Sequence, residues 1–128
     1  MISDTEFTIE PPEMVEIACR GLAHTIATPS EIAEIKAQCE SEKAICLACE
    51  DGMVVVELRA TNDVLELFVW IAIAFSFGAF ERQETALRAI AVDLNAQTLA
   101  FQARRRGWGR RLGPEWTRRG RDEFVRAV

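Results

Sequence analysis

The sequence predicts a mixed α/β sheet with the element order β-α-α-β-β-β-α-β-α-β, and three observations carry that expectation. From Ala44 to Phe75 the apolar residues run with strand character and are interrupted by two turn signals, Asp51-Gly52 and Thr61-Asn62-Asp63. From Glu81 to Leu94 the period changes to that of an amphipathic helix, with Ala86, Leu87, Ile90 and Leu94 sharing a face. Alternation then returns at Gln97 to Gln102. A strand joined through a helix to another strand is a crossover unit, so the strand ending near Phe75 and the strand from Gln97 to Gln102 are expected side by side and parallel.

The elements follow in order. Residues 6 to 9 alternate weakly and predict a short strand, which Pro11 and Pro12 end. Pro12 suits the first turn of a helix, and residues 12 to 23 place Met14, Ile17, Ala18 and Gly21 or Leu22 on one face. Thr28-Pro29-Ser30-Glu31 is a capping signal, with Thr28 as cap, Pro29 first in the helix and Glu31 completing the capping box. Ile32, Ile35 and Cys39 continue that helix to about residue 39. Ala44 to Glu50, Met53 to Arg59 and Val64 to Phe75 form a three-strand antiparallel meander, with Asp51-Gly52 as a tight turn between the first two. The third strand is almost continuously apolar after Leu67, as a central strand covered on both faces requires. Asn95 is suited to the left-handed residue that ends the following helix. Beyond Gln102, residues 107 to 116 read as a short or broken helix, and Glu123 to Val128 as a final edge strand.

With 128 residues the chain is sized for one domain, residues 1 to 128, ending in a basic segment from 104 to 128. An apolar fraction of 49%, with seven Phe and three Trp, excludes a generally disordered chain. The longest apolar run, Leu67 to Phe80, contains Ser76 and Gly78 and is too short for a membrane span. Asp4, Glu6 and Glu10 stand where a secretory signal carries a basic patch, so export by the secretory route is not expected. Charge is divided unevenly: six basic against seventeen acidic residues up to Ala103, then nine against three from Arg104 onward. An acidic body with a basic C-terminal quarter argues against a uniformly basic nucleic-acid binder.

His24 is the only histidine, at the expected end of the first helix, and its bland reading is a capping or exposed residue. Cys46 and Cys49 form a C-x-x-C in an expected strand, where residues three apart point to opposite faces, so they read as packed thiols. A metal site from Cys39, Cys46 and Cys49 with His24 or Cys19 is the less favoured alternative, and the expectation is four reduced thiols with no metal. Trp70 belongs to the core. Trp108 and Trp116 flank an Arg- and Gly-rich stretch in which Arg104, Arg105, Arg106, Arg110 and Arg111 supply bidentate donors and the indoles apolar anchors. That combination reads either as a solvated segment sealed by its tryptophans or as a surface for a protein or other anionic partner, with nucleic acid, whose phosphates an arginine row neutralises, as the less favoured partner of this basic segment.

The element order, Leu67-Phe68-Val69-Trp70 before the long helix, and Phe101-Gln102-Ala103-Arg104-Arg105-Arg106-Gly107-Trp108 after it resemble the GNAT (Gcn5-related N-acetyltransferase) fold. The look is nearest to the GNAT-like structural and virion-associated proteins of tailed bacteriophages. The resemblance implies acyl-coenzyme A in the splay between the two parallel strands, with acetyl-CoA as cofactor if the chain is an acyltransferase. On the positions that match the family's pyrophosphate loop, Phe75-Ser76-Phe77-Gly78-Ala79-Phe80-Glu81-Arg82, the cofactor-binding candidates are Gly78, Ala79 and Arg82. The paired glycines are missing, Phe77 and Phe80 fall at loop positions, and Glu81 opposes a phosphate at the helix start. The chain has no tyrosine to act as the family's general acid, which leaves Glu57 or Glu66 as candidate bases.

Three functions are therefore expected to compete. The first is a non-catalytic phage protein acting through protein contacts in virion structure, assembly or host interaction, with no cofactor and no assigned catalytic residue. The second is an acyl-CoA-dependent N-acyltransferase with a degenerate loop. The third is an acidic inhibitor or regulator of a nucleic-acid-binding host protein. The first, with a protein partner and no membrane partner, is the expectation carried forward.

Overall fold

The computed structural model describes residues 7–11, 13–14, 29–50, 52–74, 79–102 and 112–128. Among them the regular elements are β1 (Thr8–Glu10), α1 (Pro29–Glu40), β2 (Ile45–Cys49), β3 (Gly52–Thr61), β4 (Val64–Ala74), α2 (Ala79–Asp93), β5 (Thr98–Gln102), β6 (Thr117–Arg119) and β7 (Glu123–Ala127). The strands form one mixed seven-stranded sheet in the order β1-β2-β3-β4-β5-β7-β6. The expected helix over residues 12 to 23 lies outside the described residues except for Glu13 and Met14, which are helical.

β4 and β5 pair in parallel, from Glu66 opposite Thr98 to Val69 opposite Phe101, as the crossover pattern predicts. Their other neighbours run antiparallel: β3 beside β4 and β7 beside β5. The meander of β2, β3 and β4 is also as expected, and its second turn shows why. Asn62 and Asp63 both adopt left-handed backbone, φ 52° and 64°, the pair of angles a primed two-residue hairpin demands. The first turn differs from the expectation, because Gly52 is already the first residue of β3 and pairs with Cys49.

Two further corrections concern the C-terminal end. The strand near residue 123 is not the sheet edge: β7 lies between β5 and β6, and β6 forms the edge. Thr-Arg-Arg carries no alternation of apolar residues, which is why its strand is invisible to a hydrophobic pattern. The expected broken helix over 107 to 116 is described only from Leu112, and residues 112 to 116 form a turn, with the Trp116 amide donating to the Gly113 carbonyl at 3.2 Å.

Both helices end in the same way. At α2 the Ala96 amide donates to the Ala91 carbonyl at 2.8 Å and the Asn95 amide to Val92 at 3.0 Å, with Asn95 at φ 61°. At α1 the Lys43 amide donates to Gln38 at 2.9 Å and the Glu42 amide to Cys39 at 3.1 Å, with Glu42 at φ 63°. These are the paired bonds of the Schellman motif, which satisfy carbonyls that the last turn leaves open.

Side-chain alternation splits the core between the two faces of the sheet. On the α2 face, Leu47, Val54, Val56, Leu67, Val69 and Leu99 pack with Leu87 and Ala91 of the helix. On the α1 face, Cys46, Met53, Val55 and Ile71 pack with Ile35. β4 contributes to both clusters, as its apolar run predicts. Trp70 is half-buried against the α1-side cluster.

Candidate functional site

The register of β4 changes at Trp70. Val56 pairs with Val69 and Val55 with Ile71, so Trp70 is the extra residue of a β-bulge. Among the described residues the parallel pairing with β5 runs to Val69 and Phe101, while β4 itself continues to Ala74. Bulges bend a strand locally, and this one lies in the β3–β4 ladder beside the last β4–β5 pair.

Aromatic side chains pack on the α2 face beside that pair. Phe101 is the hub: Phe80 lies at 5.7 Å between ring centroids, Phe124 stacks at 5.7 Å, and Trp116 meets it edge-on at 5.2 Å. The Trp116 indole Nε1 donates to Glu84 Oε1 of α2 at 2.7 Å. Arg126 of β7 donates to the same carboxylate oxygen at 3.3 Å and sits 3.6 Å from Glu115 Oε1, with its guanidinium 5.9 Å from the Trp116 ring. A ring with an apolar body and one polar tip is thus held at both. The space that remains, bounded by Val69, Leu87, Leu99 and these aromatics, measures 20 Å³. That is room for one water-sized molecule. Gln83, which also lines it, is the buried polar side chain of the described residues, 2% exposed.

The opposite face carries a second constellation. Glu66 Oε1 accepts from Arg119 Nη1 at 2.7 Å and from the Thr98 hydroxyl at 3.0 Å, and Oε2 accepts from Arg119 Nη2 at 2.9 Å. Arg119 also donates to Glu123 Oε1 at 2.8 Å. The arginine of the edge strand therefore reaches β4 across β7 and β5. Its hydrogen bonds hold the Glu66 carboxyl below its ordinary pKa, although burial pushes the other way. The same carboxylates hold the Arg119 guanidinium more firmly protonated than usual. Glu57 is paired with Arg59, whose Nε donates to it at 2.7 Å and whose guanidinium lies 3.6 Å from the centre of the Phe68 ring. Both candidate bases are thus ion-paired.

The remaining candidates are placed as follows. Ala79 opens α2 and Arg82 lies half-buried in its first turns, while Gly78 lies outside the described residues. Phe80, expected in a loop, is the second residue of α2 and packs against the core. Trp116 is described and half-buried; Arg104, Arg105, Arg106, Trp108, Arg110 and Arg111 lie outside the described residues, as do His24 and Cys19. Cys39, Cys46 and Cys49 are unbridged. Cys46 is buried on the α1 face, and Cys49 faces the other way with its thiol donating to the Gly52 carbonyl at 3.4 Å, so the two do not converge. Burial raises the Cys39 thiol pKa, with Glu40 adding to the effect.

Sequence reasoning missed Glu84, Thr98, Arg119 and Arg126. Glu84 was visible as the residue one turn before Arg88 on the helix, but its partners are 32 and 42 positions away, and only the sheet order brings them together. Compared with known proteins, the chain matches no family model and no curated relative. No helix of the described residues is long and apolar enough to cross a membrane.

Proposed function

We propose that the chain is a GNAT-like protein that works by contact, of the kind found in tailed bacteriophages as virion, assembly or host-interaction components, and does not transfer acyl groups. The observation that carries this reading is the aromatic packing beside the last pair of the β4–β5 ladder. In the family it resembles, acyl-coenzyme A lies in the splay between the two parallel strands. Here Phe80, Phe101 and Trp116 pack against one another on the α2 face at that end of the pair, and Trp116 is tethered to Glu84. The ion pair of Glu66 supports the same reading, since the Arg119 bonds hold that carboxyl below its ordinary pKa and make it a weaker proton acceptor. The contact surface is the Arg-rich segment from 104 to 116, with Trp116 fixing its end to the body of the protein.

One observation favours the acyltransferase as a second reading: the parallel β4–β5 pair ends at a bulge, the arrangement that the family uses to seat its cofactor. Calorimetric titration with acetyl-CoA separates the two. The contact reading expects no heat at micromolar ligand, and micromolar affinity would transfer the assignment to the enzyme. In pull-downs against the native assembly, Trp108→Ala and the Arg105→Ala/Arg110→Ala pair should lose partner while retaining the parental melting temperature. A Trp108 in a true hot spot costs about 2 kcal/mol or more of binding. Loss of the fold in the Trp108 variant, with binding per folded molecule intact, would instead assign that indole to the core. Trp116→Ala, by contrast, should cost about 2 to 3 kcal/mol of stability, somewhat below the loss for a fully buried aromatic.

A further inference from the structure

We propose that copies of this chain associate head to tail through the two open edges of the sheet, β6 of one copy pairing with β1 of the next. The inference stands apart from the reading above, since a catalytic chain would assemble in the same way.

Three independent features point to a second copy as the occupant. Among the described residues the sheet order gives β1 and β6 one strand neighbour each, so there both present backbone donors and acceptors along an outer side. The strand directions are compatible. Following the pairings from β1 to β6 through one parallel step, β1 and β6 run in opposite senses. A neighbour displaced sideways along the sheet, without being turned over, therefore offers β1 antiparallel to β6, the ladder that forms with straight hydrogen bonds. The same displacement keeps the faces aligned: Glu10 shares its face with Cys46, Val55 and Ile71, and Arg119 shares that face through Glu123 and Gln102.

Charge then selects which edges meet. Among the described residues from Phe7 to Glu50, seven are acidic and two basic, with Glu10 on the edge strand and Glu13 just beyond it. The opposite edge, Thr117 to Arg121, carries three arginines and no acid, and Arg118 and Arg121 are exposed at its tip. Arg118 braces that tip by donating to the Arg121 carbonyl at 2.6 Å. Pairing β1 with β1, or β6 with β6, sets like charges against each other, which costs free energy across adjacent strands. Only the β6-to-β1 contact joins opposite charges. A short, charged edge ordinarily blocks pairing, and here the two edges block themselves while accepting each other. Such a contact is heterologous, so it builds a ring or a filament and not an isolated two-fold dimer.

Sedimentation velocity of the full chain tests this. Association should appear at about 0.01 M salt and weaken at least tenfold toward about 1 M, where the screening length has fallen from roughly 30 Å to 3 Å. Glu10→Arg/Glu13→Arg and Arg118→Glu/Arg121→Glu should each be monomeric, with unchanged circular dichroism melts as the check on folding. Mixing the two variants, or combining all four changes in one chain, should restore association because each basic edge again meets an acidic one. A chain that stays monomeric at low salt and high concentration overturns the proposal. So does an oligomer that survives either reversal alone, or a failure of the mixture to reassociate.

Discussion

Glu42 sits in left-handed backbone at φ 63°, a region that costs a residue with a Cβ roughly 1 kcal/mol and glycine almost nothing. It is placed there because α1 closes with two backbone bonds, to Gln38 and Cys39, that require one residue of this hand. Asn95 answers the same requirement at the end of α2 with a residue type that tolerates it. Glu42→Gly should therefore stabilise the protein by about 0.5 to 1 kcal/mol, and denaturant titration of the variant against the parent reads that difference directly. An unchanged or lowered midpoint would mean that the glutamate makes up its backbone cost elsewhere. The contrast also marks what a sequence reveals at this scale. Asn95 was legible because asparagine is enriched at such positions. Glu42 was not, because glutamate is ordinarily a helix former and its strain is imposed by the chain on either side.

At the scale of elements, the Glu66–Arg119 pair joins β4 to β6 over two intervening strands, and it titrates. Because the Glu66 pKa is lowered in the folded protein, its contribution to stability is complete above the ordinary glutamate range and is lost as pH falls through the folded value. Glu66→Gln should thus melt lower than the parent at pH 7, and the gap should close as the pH is lowered below the ordinary glutamate range. A gap that persists unchanged in acid would show that packing, and not charge, holds Glu66. Elements with a clear hydrophobic period were readable in advance: the meander, α2 and the parallel partner β5. The edge strand β6 was not, since it is held through backbone pairing to β7 and through arginine contacts that leave no apolar trace. The misassignment of β7 as the edge followed from that omission. For the site, the aromatic content of the segment after β5 was visible, whereas the packing of Trp116 on the α2 face depended on its nearness to Phe101 and Glu84, which no spacing encodes.

For the whole molecule, the sheet is strongest at its middle. β3, β4 and β5 are flanked by strands on both sides, and their side chains supply most of the α2-side core cluster and half of the α1-side one. Native-state hydrogen exchange on dilute protein should find the slowest amides there, at or near the global unfolding free energy, and much faster exchange along β1 and β6. Slow exchange at β1 under those conditions would mean that its outer side is already covered. The balance of charge belongs to this scale too: it was countable from the sequence, but that, among the described residues, Glu10 and the arginines of β6 fall at opposite edges of one sheet is a property of strand order.

Arg119 also has a mechanical meaning. A pull on β6 would ordinarily unzip it from β7 one backbone bond at a time, since an edge strand of three residues resists peeling poorly. The guanidinium that runs past β7 and β5 to Glu66 gives the load a second route, straight into the central strand. Traction at the rim is then shared with the central strand, so peeling β6 must break the Arg119–Glu66 bonds as well as the ladder to β7.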